Sequence, residues 1–434
     1  VTLLVISPDY ASHLYPLATV ATAWQEAGER VVVATGPATA EIVRSFGYDR
    51  THLQLGRGSN PGVIRAEQQP TGEDEALRGF FDATRRGAAE TLAFQARARR
   101  SDLLWDPVGV AREVLRVVDR VQPDAVVVDH LAFGARLALS ANGIRHADIV
   151  LGHPSALPVG DEVYGLPPAF PRCLRPAADE LAALRSLCET VRDEFTKQWN
   201  AALSQVAPAA APSQDAFAET GDVLLLNYPG ELHAAERTAL LPPHTFLGSA
   251  VRTEPRDEEV AAWLAATDQP VVYVSLGSFL SVRGDVLAAV AEALRGLDVR
   301  VALASGSTQR KDLGAVPASW LVREVLPQVT LLDRAAVAVS HGGNNSVTEA
   351  LTAGVPLLLL PLSTDQFAGA AAIEDTGIGA VLDPNALSLS DIHAAVQRLL
   401  DLPVHARERL HRLRADLVAV PGARRARAAL EPAG

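Results

Sequence analysis

The segment SHGGNNSVTEALTAGVPLLLLPLSTDQ, Ser340 to Gln366, gathers a histidine, two adjacent glycines, two asparagines, two carboxylates and a glutamine within an alanine- and leucine-rich chain. The apolar run AVAVSH (Ala336 to His341) reads as a buried strand. It ends at a Gly-Gly turn, and helix-forming residues follow from Ser346 to Ala353. A strand, a tight turn and a helix in that order place backbone N–H groups, that of Gly343 among them, and the positive end of a helix dipole at the C-terminal edge of a parallel sheet, which makes an anion site. Asn345 and Ser346 add side-chain donors, and His341 can donate to a phosphate oxygen beside it. Glu349, one turn into the helix, carries the two acceptor oxygens that a ribose diol takes. Asp365 and Gln366 follow the next strand, where a carboxylate and an amide can grip sugar hydroxyls. Phosphate, ribose and a second sugar in that order describe a nucleoside diphosphate sugar. A Gly-Gly pair before a helix is common without any ligand; the ordered company of a Gly-Val-Pro turn and an Asp-Gln pair is what carries the reading.

Moving a sugar to a hydroxyl requires that hydroxyl to lose its proton as it attacks, and a histidine of near-neutral pKa is the usual agent. The first βα loop, SPDYASHLYP, offers His13, three residues before Pro16, a residue suited to the first turn of a helix. A carboxylate at the other imidazole nitrogen would help it take up the proton. Asp129, at the end of the strand DAVVVD, lies at the same sheet edge. Its competing reading is a cap for the following helix, and Asp9, in the same loop as His13, is the rival partner. His130 and His153 are further candidates for the cleft that takes the acceptor.

These side chains need a frame. TLLVIS (Thr2 to Ser7), RVVVAT (Arg30 to Thr35) and DAVVVD (Asp124 to Asp129) are apolar runs of strand length, and Pro16 to Ala27 spaces Leu17, Val20, Ala21 and Trp24 on one helical face. That is the start of a doubly wound parallel sheet. Glu73 to Arg100 reads as one long helical segment, and DVLLLNYPG (Asp222 to Gly230) as the last strand of the first half. A Pro-rich passage then marks a linker, and a second alternation begins at PVVYVSLGS (Pro270 to Ser278). The expectation is α/β, with two Rossmann-like domains facing a cleft: residues 1–235, a linker 236–255, a second domain 256–409, and a C-terminal helical segment 410–434, broken at Pro421 and Gly422, that packs back on the first.

At 434 residues the chain is long enough for two domains of roughly 200 residues. A formal charge of −12 argues against nucleic acid as partner. No apolar run approaches the ~20 residues of a membrane span, and no signal peptide is evident, so a cytoplasmic location is expected. Cys173 and Cys188 are too few for a disulfide framework or a cysteine-based zinc site. No carboxylate cluster resembling a metal site accompanies the diphosphate segment, so neither a metal nor a cofactor is expected.

The stretch LPQVTLLDRAAVAVSHGGNNSVTEALTAGVPLLLLPLSTDQ is similar to the nucleotide-sugar signature of the superfamily that holds UDP-glucuronosyltransferases, plant glucosyltransferases and bacterial antibiotic glycosyltransferases. The resemblance extends over nearly the whole chain. It implies the glycosyltransferase B fold, an acceptor-binding N-terminal half and a donor-binding C-terminal half. It further implies an inverting, metal-independent transfer from a UDP or dTDP sugar to a hydroxyl or similar nucleophile of a small lipophilic or aromatic natural product, such as an antibiotic aglycone, with His13 as base. By that resemblance Gln328 contacts the base of the nucleotide, Ser278 adds a phosphate contact, and His341, Asn345, Ser346, Glu349, Asp365 and Gln366 keep the order given above. Val325 stands where plant members stack a tryptophan on uracil, which leaves base recognition to backbone bonds, Gln328 and a neighbour such as Trp320. Ser12 replaces the glycine that often precedes the catalytic histidine. Phe80, Phe81, Phe94 and Trp105, in the region Gly56 to Trp105, are the aromatic candidates for the acceptor pocket, each of which could equally be core. A sugar-nucleotide epimerase of the same fold and a catalytically silent helper protein are the alternatives. The sequence leaves open whether the protein is a monomer or a homodimer.

Overall fold

Buried, β-branched runs too short for helices account for the central strands of two parallel sheets. The computed structural model describes residues 1–62, 73–102 and 104–431. The first sheet contains β1 (Thr2–Ile6), β2 (Arg30–Thr35), β3 (Asp49–His52), β4 (Ala125–Asp129), β5 (Ala147–Val150), β6 (Val223–Leu226) and β7 (His244–Phe246), in the order β3-β2-β1-β4-β5-β6-β7. The second contains β8 (Val271–Ser275), β9 (Arg300–Ala304), β10 (Leu321–Arg323), β11 (Ala335–Ser340), β12 (Leu357–Leu359) and β13 (Gly379–Val381), in the order β10-β9-β8-β11-β12-β13. In both, the strand order reverses beside the first strand of the half, so the crevice at the C-terminal strand ends is the natural ligand site. The C-terminal ends of β1, β4, β8 and β11 lie there, with His13, Asp129, Gly277 and His341 at or just beyond them.

Several boundaries differ from the sequence reading for identifiable reasons. The long segment from Glu73 divides into two helices, Glu73–Arg86 and Ala88–Asp102, at Gly87, whose φ of +110° breaks the helical path. The passage 236–255 is not wholly a linker: its prolines leave room for β7, which pairs with β6 and closes the first sheet. The strand PVVYVSLGS stops at Ser275, and Gly277–Leu280 forms a helical turn. Pro16 lies inside the helix Ala11–Glu26 rather than in its first turn, which moves His13 from the loop onto that helix.

The C-terminal segment divides at the expected Pro-Gly pair. Val404–Ala419 stays with the second half, against the helix Asn344–Ala353, so the return begins after Ala419 rather than at 410. Gly422–Leu430 crosses back and buries Ala426 in the core of the first half beside Leu14 and Trp24. Gly422 makes that crossing close: a Cβ there would lie 2.4 Å from the Ser249 carbonyl oxygen and 2.9 Å from that of Leu247. Gly422→Ala is therefore expected to push the terminal helix off its seat and lower stability by about 1–3 kcal/mol, read as a lower urea midpoint together with faster proteolysis near Val420.

Candidate active site

The two sheet edges face each other across a cleft of about 2230 Å³. Its narrowest part is a polar seam whose cause is local. Pro16 has no N–H, so the Ser12 carbonyl one turn earlier in the helix Ala11–Glu26 lacks its helical donor. Asn345, in the first turn of the helix Asn344–Ala353, supplies one: its Nδ2 donates to Ser12 at 3.2 Å, while Asn227 Nδ2 donates to Asn345 Oδ1 at 3.2 Å. Asn344 Nδ2 donates to the carbonyls of Leu151 and Asn227, each at 2.7 Å. The His153 N–H donates to Asp365 Oδ2 at 2.6 Å. Strand-end groups of the first half are thus satisfied by side chains of the second.

His13, one residue beyond Ser12, places Nδ1 2.7 Å from Asp129 Oδ2, with 26% of its own side chain exposed and 2% of the aspartate's. The other Asp129 oxygen accepts from the Leu131 N–H at 2.8 Å. The helix that follows, Phe133–Ala141, has no side-chain cap, so Asp129 orients the histidine rather than capping. Asp9 is committed elsewhere, accepting from the Ala38 and Thr39 N–H groups and the Thr39 hydroxyl at the start of the next helix. Burial pushes the His13 imidazole down, but the charge and hydrogen bond of Asp129, with a further contribution from Asp365, outweigh it and hold the pKa above the ordinary 6.5. Nε2 is left for a group in the cleft, the arrangement of a general base.

Opposite His13, the helix Asn344–Ala353 opens at Gly343 with its free N–H groups directed at the cleft. His341 is held neutral: burial pushes it down to about 4 against a smaller upward pull from the Ser275 backbone. Two glycines leave room for its ring. A Cβ at Gly277 would lie 2.8 Å from Cε1, and one at Gly343 2.5 Å from Nε2. Glu349 is buried within a polar set: Oε1 accepts from Arg252 at 2.8 Å and Oε2 from Gln328 Nε2 at 2.5 Å. Burial raises its pKa in spite of both partners. Ser346 Oγ is 3.4 Å from the Gln328 amide, and the Tyr273 hydroxyl donates to Gln328 Oε1 at 3.3 Å. Gln366 is structural as well as polar, its Oε1 accepting from the Leu362 and Ser363 N–H groups. Val325 is 67% exposed on the cleft wall. Trp320 is buried in the core and is not the neighbour of the base that the sequence suggested. The side chain of Ser278 lies outside the described residues.

Sequence models of known families locate this arrangement. The model described as UDP-glucoronosyl and UDP-glucosyl transferase matches residues 183–416, more than half of the chain. The chain belongs to that family. As a glycosyltransferase it is 27% identical over 429 residues to 4'-demethylrebeccamycin synthase of Lentzea aerocolonigenes, covering 93% of each chain. It is 29% identical over 177 residues to NDP-glycosyltransferase YjiC of Bacillus subtilis (strain 168), a match spanning 41% of this chain and 45% of that one. In fold it is similar to the glycosyltransferase of kitacinnamycin, with a TM-score of 0.69, 22% identity and coverage of 98% and 96%. Glycosyltransferase VinC, solved in complex with dTDP, follows with a TM-score of 0.66, 18% identity and coverage of 99% of each chain. The fold of this glycosyltransferase is the glycosyltransferase B fold.

The acceptor half of the enzyme departs from the sequence reading. Phe80 and Phe81 are core, packed on Phe279 of the donor half at ring distances of 5.3 and 5.4 Å. Phe94 lies behind Phe80, and Trp105 packs on the cluster around Val110. None of the four lines the cleft; for Phe80 and Phe81 the reason is that the helix Glu73–Arg86 spends its apolar face on the contact between halves. The His153 ring caps a short 3-10 turn through Ser155 and is pushed down to about 3 by burial and by Arg237 and His233; its backbone, not its ring, takes part in the seam. His130 does line the cleft. Sequence reasoning missed Arg252, Asn227, Asn344 as a bridge, and Tyr273. Arg252 stood in a passage without periodicity, and only its place between the two sheets could have drawn attention to it. Asp129→Asn should lower the His13 pKa, since burial still acts on the ring and only the smaller pull of Asp365 remains against it, as read by NMR titration of the imidazole C–H signals. Because the folded-state value is raised in the native enzyme, the pair's stabilisation is complete below about pH 6.5 and fades as the pH rises through the folded value, and it should be absent from the variant's pH–stability curve.

Proposed function

We propose that the enzyme transfers a sugar from a nucleoside diphosphate sugar to a hydroxyl, or a similar nucleophile, of a small natural product, by a single displacement with inversion. The observation that carries this reading is the facing of His13, oriented by Asp129, and the open helix N-terminus at Gly343 across one cleft. His13 Nε2 takes the acceptor proton as its oxygen attacks the anomeric carbon, and the imidazolium that forms is stabilised by Asp129. The diphosphate leaves toward the N–H groups of the helix Asn344–Ala353 and toward neutral His341, whose ring can donate to it. Fixed dipoles aimed at developing charge are a large source of transition-state stabilisation, and in this reading they, rather than a metal ion, act on the departing diphosphate.

Glu349 and Gln328 take the ribose and base, with Arg252 holding the Glu349 carboxylate in place. Asp365 and Gln366, at the seam, face the transferred sugar. Relatives whose names describe rebeccamycin and mycarosyl-lactenocin chemistry support a natural-product acceptor, and the family description supports a UDP sugar while the dTDP-bound neighbour supports the alternative base.

His13→Ala should lower kcat with any acceptor by about 10²–10⁴-fold while leaving the affinity for the nucleoside diphosphate, measured calorimetrically, within a few-fold. Full activity in that variant would remove His13 as the base. A panel of UDP and dTDP sugars read by thermal shift should single out one base. NMR of the product should give the anomeric configuration opposite to the donor's, with the rate unchanged by a chelator; retention would exclude the single displacement.

A further inference from the structure

On the acceptor side of the cleft one guanidinium stands without a partner among the described residues. Gln95 and Arg99, one turn apart on the helix Ala88–Asp102, share a face and line the cleft. The neighbouring Arg100 is bidentate to Glu194, both bonds at 2.6 Å. The Arg99 guanidinium instead forms no ion pair or hydrogen bond with any described residue. It is nevertheless held in place. Its carbon lies 4.9 Å over the ring of Tyr164, which is itself stacked on Phe217 at 3.9 Å with an interplanar angle of 9°. Gly165, at φ +90°, lets the guanidinium come close: a Cβ there would be 2.8 Å from Arg99 Nη1. A fixed, half-buried guanidinium with no acceptor is an unfilled site for an oxygen anion.

Two further polar side chains, Gln95 and His130, line the same cleft. Gln95 Oε1 is buried without a hydrogen bond. His130, 1% exposed, pairs through Nδ1 with Asp148 Oδ2 at 3.4 Å, and its Nε2 has no hydrogen bond among the described residues. The cleft that holds Arg99 and His13 also has aromatic and apolar lining, Tyr10, Leu131, Leu166, Pro167 and Phe279 among it. The carboxylates of Asp129 and Asp365 act on His13 at the reacting end, in a protein of formal charge −12. An anionic group is therefore repelled from the reacting end and drawn to the Arg99 guanidinium.

Resting on the transferase reading above, we propose that the acceptor is a planar aromatic hydroxy acid, bound with its acidic oxygen group on Arg99 and its reacting hydroxyl at His13. Arg99 then fixes which hydroxyl is glycosylated, the one farthest from the acid.

The test uses hydroxylated aromatic acids of one to three fused rings, each beside its methyl ester, with the donor chosen by thermal shift. With the native enzyme the KM of the preferred acid should be at least about tenfold below that of its ester, the range of a charge-assisted hydrogen bond. In Arg99→Met, and in Arg99→Gln, which retains polarity without charge, the ratio should fall to near one. In Gly165→Ala it should shrink as the guanidinium is displaced. Equal KM values for acid and ester in the native enzyme, or an undiminished preference in both Arg99 variants, would overturn the assignment and leave the transferase reading intact. Conversion of the donor into another sugar nucleotide, with no transfer to either form, would overturn both.

Discussion

Helix and strand ends leave backbone groups without partners, and in this protein the two halves satisfy one another's. The Ser12 carbonyl, freed by Pro16, and the Leu151 and Asn227 carbonyls, at the ends of β5 and β6, meet the amides of Asn344 and Asn345. Leu151 and Asn227 are buried, where an unsatisfied carbonyl costs about 1–3 kcal/mol, so the seam is specified by more than contact, while the Ser12 bond is exposed. Its position decides the chemistry. His13 follows Ser12 in the chain, and Gly343 precedes Asn344, so the bonds that join the halves also set the base against the helix N-terminus. A second join between the halves has Arg283 and Asn385 donating to the Thr84 carbonyl, beside the Phe80, Phe81 and Phe279 rings.

Burial then divides the titratable groups by role. The two histidines that face each other across the cleft are driven in opposite directions, His13 upward by Asp129 and Asp365, His341 downward by desolvation with no carboxylate beside it. One suits proton uptake and the other suits neutral donation. Glu349 is the exception that needs support: a buried carboxylate beside Glu254, it depends on Arg252 for charge and on Gln328 for a hydrogen bond. Arg252 reaches further, its guanidinium lying 5.6 Å from the ring of Tyr15, two residues beyond His13. The linker arginine therefore touches both sides of the site.

What could be read from the sequence follows the strength of local signals. The central strands are long apolar runs, and the Ser340 to Gln366 segment concentrates its polar residues at one sheet edge, so fold and donor side were legible. The edge strands were not: β3 has the sequence DRTH and is largely exposed, and β7 is three residues set among prolines. Aromatic residues carry no sign of which surface they cover, which is why the sequence left Phe80 and Phe81 between pocket and core; they are core, packed on Phe279 of the other half. Nothing in the sequence sets Asn344 apart from Asn345, and only the distances to Leu151 and Asn227 reveal a bridge. Asp129 was separable from Asp9 only by geometry, since both follow strands and both precede helices.

Transfer by this mechanism turns on His13, held by Asp129, being unprotonated when the acceptor arrives. The most direct measurement is kcat/KM for a glycosylated acceptor against pH in the native enzyme. A rise through one ionisation above 6.5 to a plateau is the expected result, since the free enzyme's base must lose its proton before it can take one from the acceptor. A profile that is flat from about pH 5.5 to 9, or that falls as the pH rises through the histidine range, would contradict it.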